Sequence, residues 1–485
     1  MKNANKKFFL VLLFIFLSLL SCEKNNKEND VNDVTNKSEE TVEIISEDPY
    51  AKYEDELGEY DFKGEEFKIQ TFEDVNIHNI IDTEEETGEI LNDALYKRNR
   101  TIEERFNVII KEVLTGNYNH DKTRNTLLAG DADAFDLFSE RCPDALSNWQ
   151  EGLAFSYEDI PVIDLSKPYW NQTMNKSITL GGIQYVALGD FNLNTYDITH
   201  TILFNKSMIQ DFGLEIPYML VNSGKWTFTK MEEMMKAVIL DLNGDGVMNE
   251  NDRYGYLAGP KQVLPCFWIA ANTLSVGKNE SDIPYLAMGS EKFVNAFDKT
   301  FSMLWDGGAY YLPKDNWADV PQEARDMFSN GQSLFMDITF IVIENMRSTE
   351  TDFGIIPYPK YDESQTNYVS RTEYYWTFQV PSINNNLERA GVMLEALNSY
   401  SAKIVIPAYY DLALKTKFAR DDESSQMLDL ILSTAVIDLG DTILCSDIRD
   451  GFMKPMFEKN DRNLSSKVES TERVIQKFIE KIPMG

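Results

Sequence analysis

The run Asp241-Leu242-Asn243-Gly244-Asp245-Gly246-Val247-Met248-Asn249-Glu250-Asn251-Asp252 carries the most specific local chemistry in the chain. Oxygen-bearing side chains at alternating positions, a glycine at the sharp turn and a closing carboxylate are what a calcium loop requires. Asp241, Asn243 and Asp245 are spaced to point inward from one tight curve, and Gly246 permits its turn. Val247 offers a backbone carbonyl, Asn249 binds directly or through water, and Asp252 closes the ring. Glutamate is usual at that last position; the shorter aspartate coordinates through one oxygen. The plain alternative is a solvated acidic turn, but the full register favours calcium, held as a structural staple.

Cys22 is the second residue with defined chemistry. Lys2, Lys6 and Lys7 precede an apolar run, Phe8 to Leu20, broken only by Ser18. That run is too short for a comfortable stop-transfer helix and matches the apolar region of a signal peptide. It ends in Leu19-Leu20-Ser21-Cys22, which resembles the lipobox of bacterial lipoproteins. The resemblance implies a signal peptide over residues 1–21, lipidation of the Cys22 thiol and a chain anchored on the outer face of the cell membrane. Residues 22–63 are rich in Glu, Asp, Asn and Lys, with few large apolar side chains before Tyr50. Such a stretch buries too little surface to offset its ordering entropy, so it is expected to be a disordered acidic tether.

The 485 residues carry a net charge of −33. That excess argues against nucleic acid, whose phosphates need a basic surface, and against adsorption to anionic lipid. Cys142, Cys266 and Cys445 are widely spaced with no C-x-x-C pair, so neither a disulfide framework nor a zinc site is expected, and a single bridge stays open. Only His78, His120 and His200 are present, which leaves few candidates for a histidine base.

The elements that must position these groups follow from periodicity. Glu66 to Phe72 alternates as a strand; Leu91, Leu95, Ile102 and Phe106 mark one helix face; Val108-Ile109-Ile110 is a second strand. A helix around Thr123 to Leu128 leads into a strand at Phe135 to Phe138, and this βαβαβ order predicts an α/β layer with a mainly parallel sheet. Gly181 to Asp190 reads as a turn and a strand leaving that layer, and Ile202 to Lys206 begins a second α/β segment. Thr229 and Glu232 fit a capping box for a helix with the stripe Met231, Met234, Met235, Val238 and Ile239. Gln332 to Ile338 and Phe353 to Pro357 read as buried strands, and helices follow at Leu387 to Ser401 and from Glu469 onward.

Several ordered landmarks resemble the bacterial extracellular solute-binding proteins of ABC transporters, the large class that includes the maltose-binding protein. They are Lys167-Pro168-Tyr169-Trp170-Asn171, Gly189-Asp190, Ile202 to Lys206, Pro217-Tyr218, and Gly224 to Phe228. The calcium-like loop, Asp252 to Tyr256, Phe328 to Phe335 and Phe353 to Lys360 continue the series along nearly the whole mature chain. The resemblance implies two α/β lobes, each a mainly parallel sheet flanked by helices, with a ligand cleft between them. Residues 64–192 plus 338–402 are expected to form one lobe, and 193–337 plus 403–485 the other. The crossings are expected near Gly189 to Asn194, Phe335 to Thr339 and Tyr400 to Val405. It further implies a monomer that catalyses nothing, closes on a mono- or oligosaccharide and delivers it to an ABC permease in the membrane.

Sugars present flat C–H faces and a rim of hydroxyls, so their sites pair aromatic platforms with carboxylates and amides. The candidate platforms are Trp268, Phe340, Tyr374, Tyr375 and Trp376. The candidate polar partners are Glu140, Arg141, Asp190, Asn192, Asp337 and Glu373. Glu140 and Arg141 follow an expected strand end, where ligands of parallel sheets bind. Two alternatives stay open on sequence: a surface glycoside hydrolase working through paired carboxylates, and a calcium-dependent peptide-binding or adhesion lipoprotein.

Overall fold

The computed structural model describes residues 50–74, 77–343, 346, 349–409 and 422–482. The expected signal peptide, Cys22 and the tether as far as residue 49 lie outside the described residues. Among the described residues no helix is long and apolar enough to cross a membrane.

One sheet is built from the strands Glu65–Thr71, Val108–Leu114, Leu137–Arg141 and Trp376–Gln379. Glu65–Thr71 runs parallel to both Val108–Leu114 and Leu137–Arg141, and Trp376–Gln379 closes the edge antiparallel to Leu137–Arg141. The helix Ile90–Phe106 covers it with Leu95, Ile102 and Phe106 buried, and stops at Asn107, which takes the left-handed conformation (φ 48°). Asparagine is among the few non-glycine residues that tolerate this end.

The second sheet has the strand order Phe353–Ile356, His200–Asn205, Ser333–Thr339, Tyr254–Leu257, Tyr310–Tyr311. It is mixed. His200–Asn205 is antiparallel to both neighbours, while Tyr254–Leu257 runs parallel to Ser333–Thr339 and Tyr310–Tyr311. Every residue of Ser333–Thr339 is buried, as expected of a central strand covered on both faces. The methionine-striped helix is Phe228–Lys236, with Met231, Met234 and Met235 in the core. Its cap is Thr227, whose Oγ1 accepts the Lys230 N–H at 3.3 Å. The capping box on Thr229 is therefore displaced, because the chain turns helical two residues sooner.

Three sequence expectations differ from the structure. Gly181 to Asp190 forms no strand, only the isolated bridges Leu180–Ile183 and Trp170–Gly189. Residues 338–402 do not stay with the first sheet: Phe353–Ile356 hydrogen-bonds to His200–Asn205, and the chain rejoins the first sheet only at Trp376. Phe335 to Thr339 is consequently the middle of a sheet and not a crossing. The tether also ends earlier than residue 63. Asp55 is buried and paired with Arg105 at 2.7 Å, and Tyr53, Leu57, Tyr60 and Phe62 pack on the first sheet's core. Those four apolar side chains supply the buried area that the preceding stretch lacks.

Candidate ligand cleft

A cavity of about 710 Å³ opens at the carboxyl ends of both sheets. Asp74 reaches it just after Glu65–Thr71, and Thr339 ends its strand there. Lys261 enters from the first turn of the helix Pro260–Ala270, which follows Tyr254–Leu257. Tyr374 and Trp376 enter from the start of the antiparallel edge strand, and strand starts of that sense lie at the same end. The connectivity thus puts loops from both sheets around one space, as open α/β sheets do.

Strand alternation sorts the aromatic triplet. Tyr374 and Trp376 line the cavity, while Tyr375 points the other way, fully buried with its hydroxyl 3.1 Å from that of Tyr185. Trp376 is backed by Phe72 (ring centroids 4.1 Å) and by the edge of Tyr118 (4.7 Å). The Arg141 guanidinium lies 4.3 Å over the Tyr118 ring and 5.8 Å from both Tyr374 and Trp376. This cation orders the aromatic wall from its side.

Glu373 lines the floor and joins a buried ionic network. Arg371 donates Nε and Nη2 to Asp441 at 2.6 and 2.8 Å and Nη2 to Glu373 at 3.2 Å. Burial would raise the Glu373 carboxyl, but the Arg371 guanidinium holds it well below the usual carboxylate range. Arg371 Nη1 also meets His200 Nε2 at 2.8 Å, while His200 Nδ1 faces Asp337 at 3.0 Å. Burial would lower the His200 imidazole, but the Asp337 carboxylate raises it well above its ordinary value, and its Nε2 also lies 3.4 Å from a Glu373 oxygen. Asp337 is completed by the Tyr358 hydroxyl at 2.5 Å. It stands beneath the cavity, not on its wall.

The other expected ligand residues have structural partners. Trp268 is core, donating Nε1 to Asp438 at 2.8 Å. Asn192 donates to the Trp376 carbonyl at 2.8 Å and so holds the aromatic wall from behind. Phe340 is buried at the start of the turn Phe340–Ile343. Asp190 accepts from the Tyr196 hydroxyl at 2.7 Å and faces a separate cavity of about 450 Å³. Glu140 is fully buried behind the aromatic wall, taking the Tyr118 hydroxyl and, at 3.3 Å, His120 Nδ1. Burial pushes its carboxyl above the usual range.

Sequence reasoning missed Asp74, Lys261, Asp319, Arg325, Arg449 and Asp450, all of which line the cavity. Arg449 bonds Asp450 at 2.8 Å and Asp441 at 3.4 Å, and Lys261 pairs with Asp319. Position directly after a strand was a usable signal for Asp74 and Lys261. Arg325 and Arg449 come from helical segments far along the chain, where spacing carries no such mark.

The candidate metal loop is exposed and pre-curved. Asp241 accepts the N–H groups of Gly244 and Gly246 (2.7 Å each), and both glycines have positive φ, 72° and 81°. Asn243 Oδ1 and Asp245 Oδ1 accept from Asp245 and Val247 at 2.8 Å. Asp252 is buried and accepts from Leu242 and Asn249 at 2.9 and 2.8 Å, so it braces the loop ends. Each of its oxygens retains a lone pair for a cation. Among the described residues the Asp241, Asp245 and Asp252 carboxylates do not gather into one ligand cluster, and Asn249 Nδ2 donates to the Val247 carbonyl at 2.9 Å, so the loop is held by its own hydrogen bonds.

No family model matches the chain, and no curated protein matches it in sequence. Solved structures do match in three dimensions. The extracellular solute-binding protein from Staphylococcus aureus in complex with maltose superposes with TM-score 0.58 at 13% identity, over 86% of this chain and 98% of that one. The GacH receptor of Streptomyces glaucescens, solved unliganded and with acarbose, gives 0.54 at 12%, over 87% and 100%. The ABC substrate-binding protein Lmo0181 from Listeria monocytogenes in complex with cycloalternan gives 0.53 at 14%, over 86% and 99%. The chain therefore has the two-lobed α/β fold of ABC-transporter solute-binding proteins.

Proposed function

We propose that this protein captures a mono- or short oligosaccharide outside the cytoplasm and hands it to an ABC-type permease, catalysing no reaction itself. The observation that carries the reading is the paired wall of the cleft. Tyr374 and Trp376 offer apolar ring faces, and Asp74, Lys261, Asp319 and Glu373 offer polar groups to the same space. A flat C–H face with hydroxyls on its rim is the ligand shape that suits such a pairing. A volume of about 710 Å³ lies within the range of small-molecule sites. The sugar complexes among the solved structures of this fold support the class of ligand.

In this reading Cys22 carries the lipid anchor, the acidic segment after it is the spacer, and the protein works as a monomer. Calcium bound in the loop from Asp241 to Asp252 acts as a structural staple. Binding is tested by thermal-shift screening of sugars against peptides, since a true ligand raises stability by mass action. A sugar that shifts the melt supports the reading; peptides that shift it while no sugar does would overturn it. For the loop, terbium luminescence on the wild-type protein, lost in Asp245→Ala, is the expected outcome.

A further inference from the structure

Among the described residues that line the cleft, one cation has no carboxylate to neutralise it. Lys261 is paired with Asp319, and Arg449 with Asp441 and Asp450. Arg325, on the helix Gln322–Ser329, lines the same cavity and makes no ion pair. It donates Nη2 to the neutral Gln322 Oε1 at 2.5 Å, and its Nε is shielded from solvent without an acceptor. A guanidinium carries five N–H donors in a planar fork matched to carboxylate and sulfate oxygens. In a chain of net charge −33, with acidic groups in abundance, an arginine left uncompensated in a binding cavity is unexpected. It is explained if the ligand supplies the anion.

We infer that the cleft is built for an anionic saccharide, a uronate or a sulfate ester, whose acidic group pairs with Arg325 while its ring lies against Tyr374 and Trp376. This rests on the reading of the protein as a sugar binder. A neutral sugar fills the same aromatic wall but leaves the guanidinium unmatched, so the preference is a difference between two ligands at one site. Arginine suits this task better than lysine because the fork fixes the orientation of the acid as well as its charge.

Titration calorimetry on the full chain with matched pairs tests the inference: digalacturonate against galactobiose, cellobiouronate against cellobiose, and glucose 6-sulfate against glucose. In at least one pair the acidic member is expected to bind about tenfold tighter or more, corresponding to one charge-assisted contact. Arg325→Gln should bring that ratio to within about twofold, and Arg325→Lys should keep part of it. An unliganded melt of each variant checks that the fold survives, and the wild-type ratios stand whatever the variants do. Equal or tighter binding of the neutral member in every pair overturns the anionic preference while leaving sugar capture intact. Binding of peptides with no sugar bound overturns both. An acidic preference that survives unchanged in Arg325→Gln also overturns the assignment.

Discussion

Trp376 is where the ligand argument is most exposed to a single substitution. Its ring is pinned between Phe72 and Tyr118, so it meets a ligand already ordered and loses little freedom on binding. Trp376→Ala is expected to weaken sugar affinity by about tenfold to a hundredfold, measured by calorimetry, because it removes one face of the site. Beneath it, Arg371→Ala would leave the buried Asp441 carboxylate with only the longer Arg449 contact at 3.4 Å. A loss of about 3–5 kcal/mol in urea unfolding is expected from breaking such a pair. Behind the wall, the Tyr118 hydroxyl lies within bonding distance of both Glu140 and Asp144, yet it has one proton to give. The crowding agrees with the raised Glu140 carboxyl, which is favoured in its neutral form by burial. A carboxyl raised in the folded state contributes stability below its ordinary value near 4.5 and loses it as pH climbs through the folded value. Glu140→Gln should therefore melt higher than wild type at neutral to basic pH and converge with it in acid, flattening the profile.

Elements were legible where one periodicity ruled and illegible where close approach did. The helix Ile90–Phe106 and the strand Ser333–Thr339 carry uninterrupted patterns and stand where the sequence puts them. Gly181 to Asp190 reads as a turn and a strand, yet its backbone is spent on irregular packing, and Gly189 shows why. A Cβ there would overlap Asn398 Oδ1 and stand 2.8 Å from the Tyr169 carbonyl. Gly189→Ala is expected to cost about 1–3 kcal/mol, read from denaturant midpoints at unchanged slope, as overpacking does. The cap of the methionine helix was misread because Thr227 and Thr229 are both competent, and only the register of the preceding turn chooses between them.

For the whole molecule, fold class was readable from the order of strands and helices, but the cavity was not. Its wall is assembled from segments more than three hundred residues apart, such as Asp74 and Arg449, and no local pattern records that meeting. The aromatic triplet was visible because it breaks a local rule. Lys261 and Arg325 break none. If the two lobes close on their ligand, small-angle scattering should show a smaller radius of gyration with sugar than without, since the ligand favours the state it bridges. An unchanged profile at saturating sugar would mean a cleft already in its bound form.

The opposed facing of Tyr374 and Trp376 against Tyr375 also bears on how such a site changes over generations. Tyr375 is fixed by Tyr185 in the interior, so the backbone of the wall is secured by a residue the ligand never meets. Tyr374, only partly buried, is then free to vary in size and polarity without disturbing the sheet that presents it, whereas Trp376 is tied to Phe72 and Tyr118. Diversification of cargo can proceed through that one side chain, with the scaffold insulated from each trial.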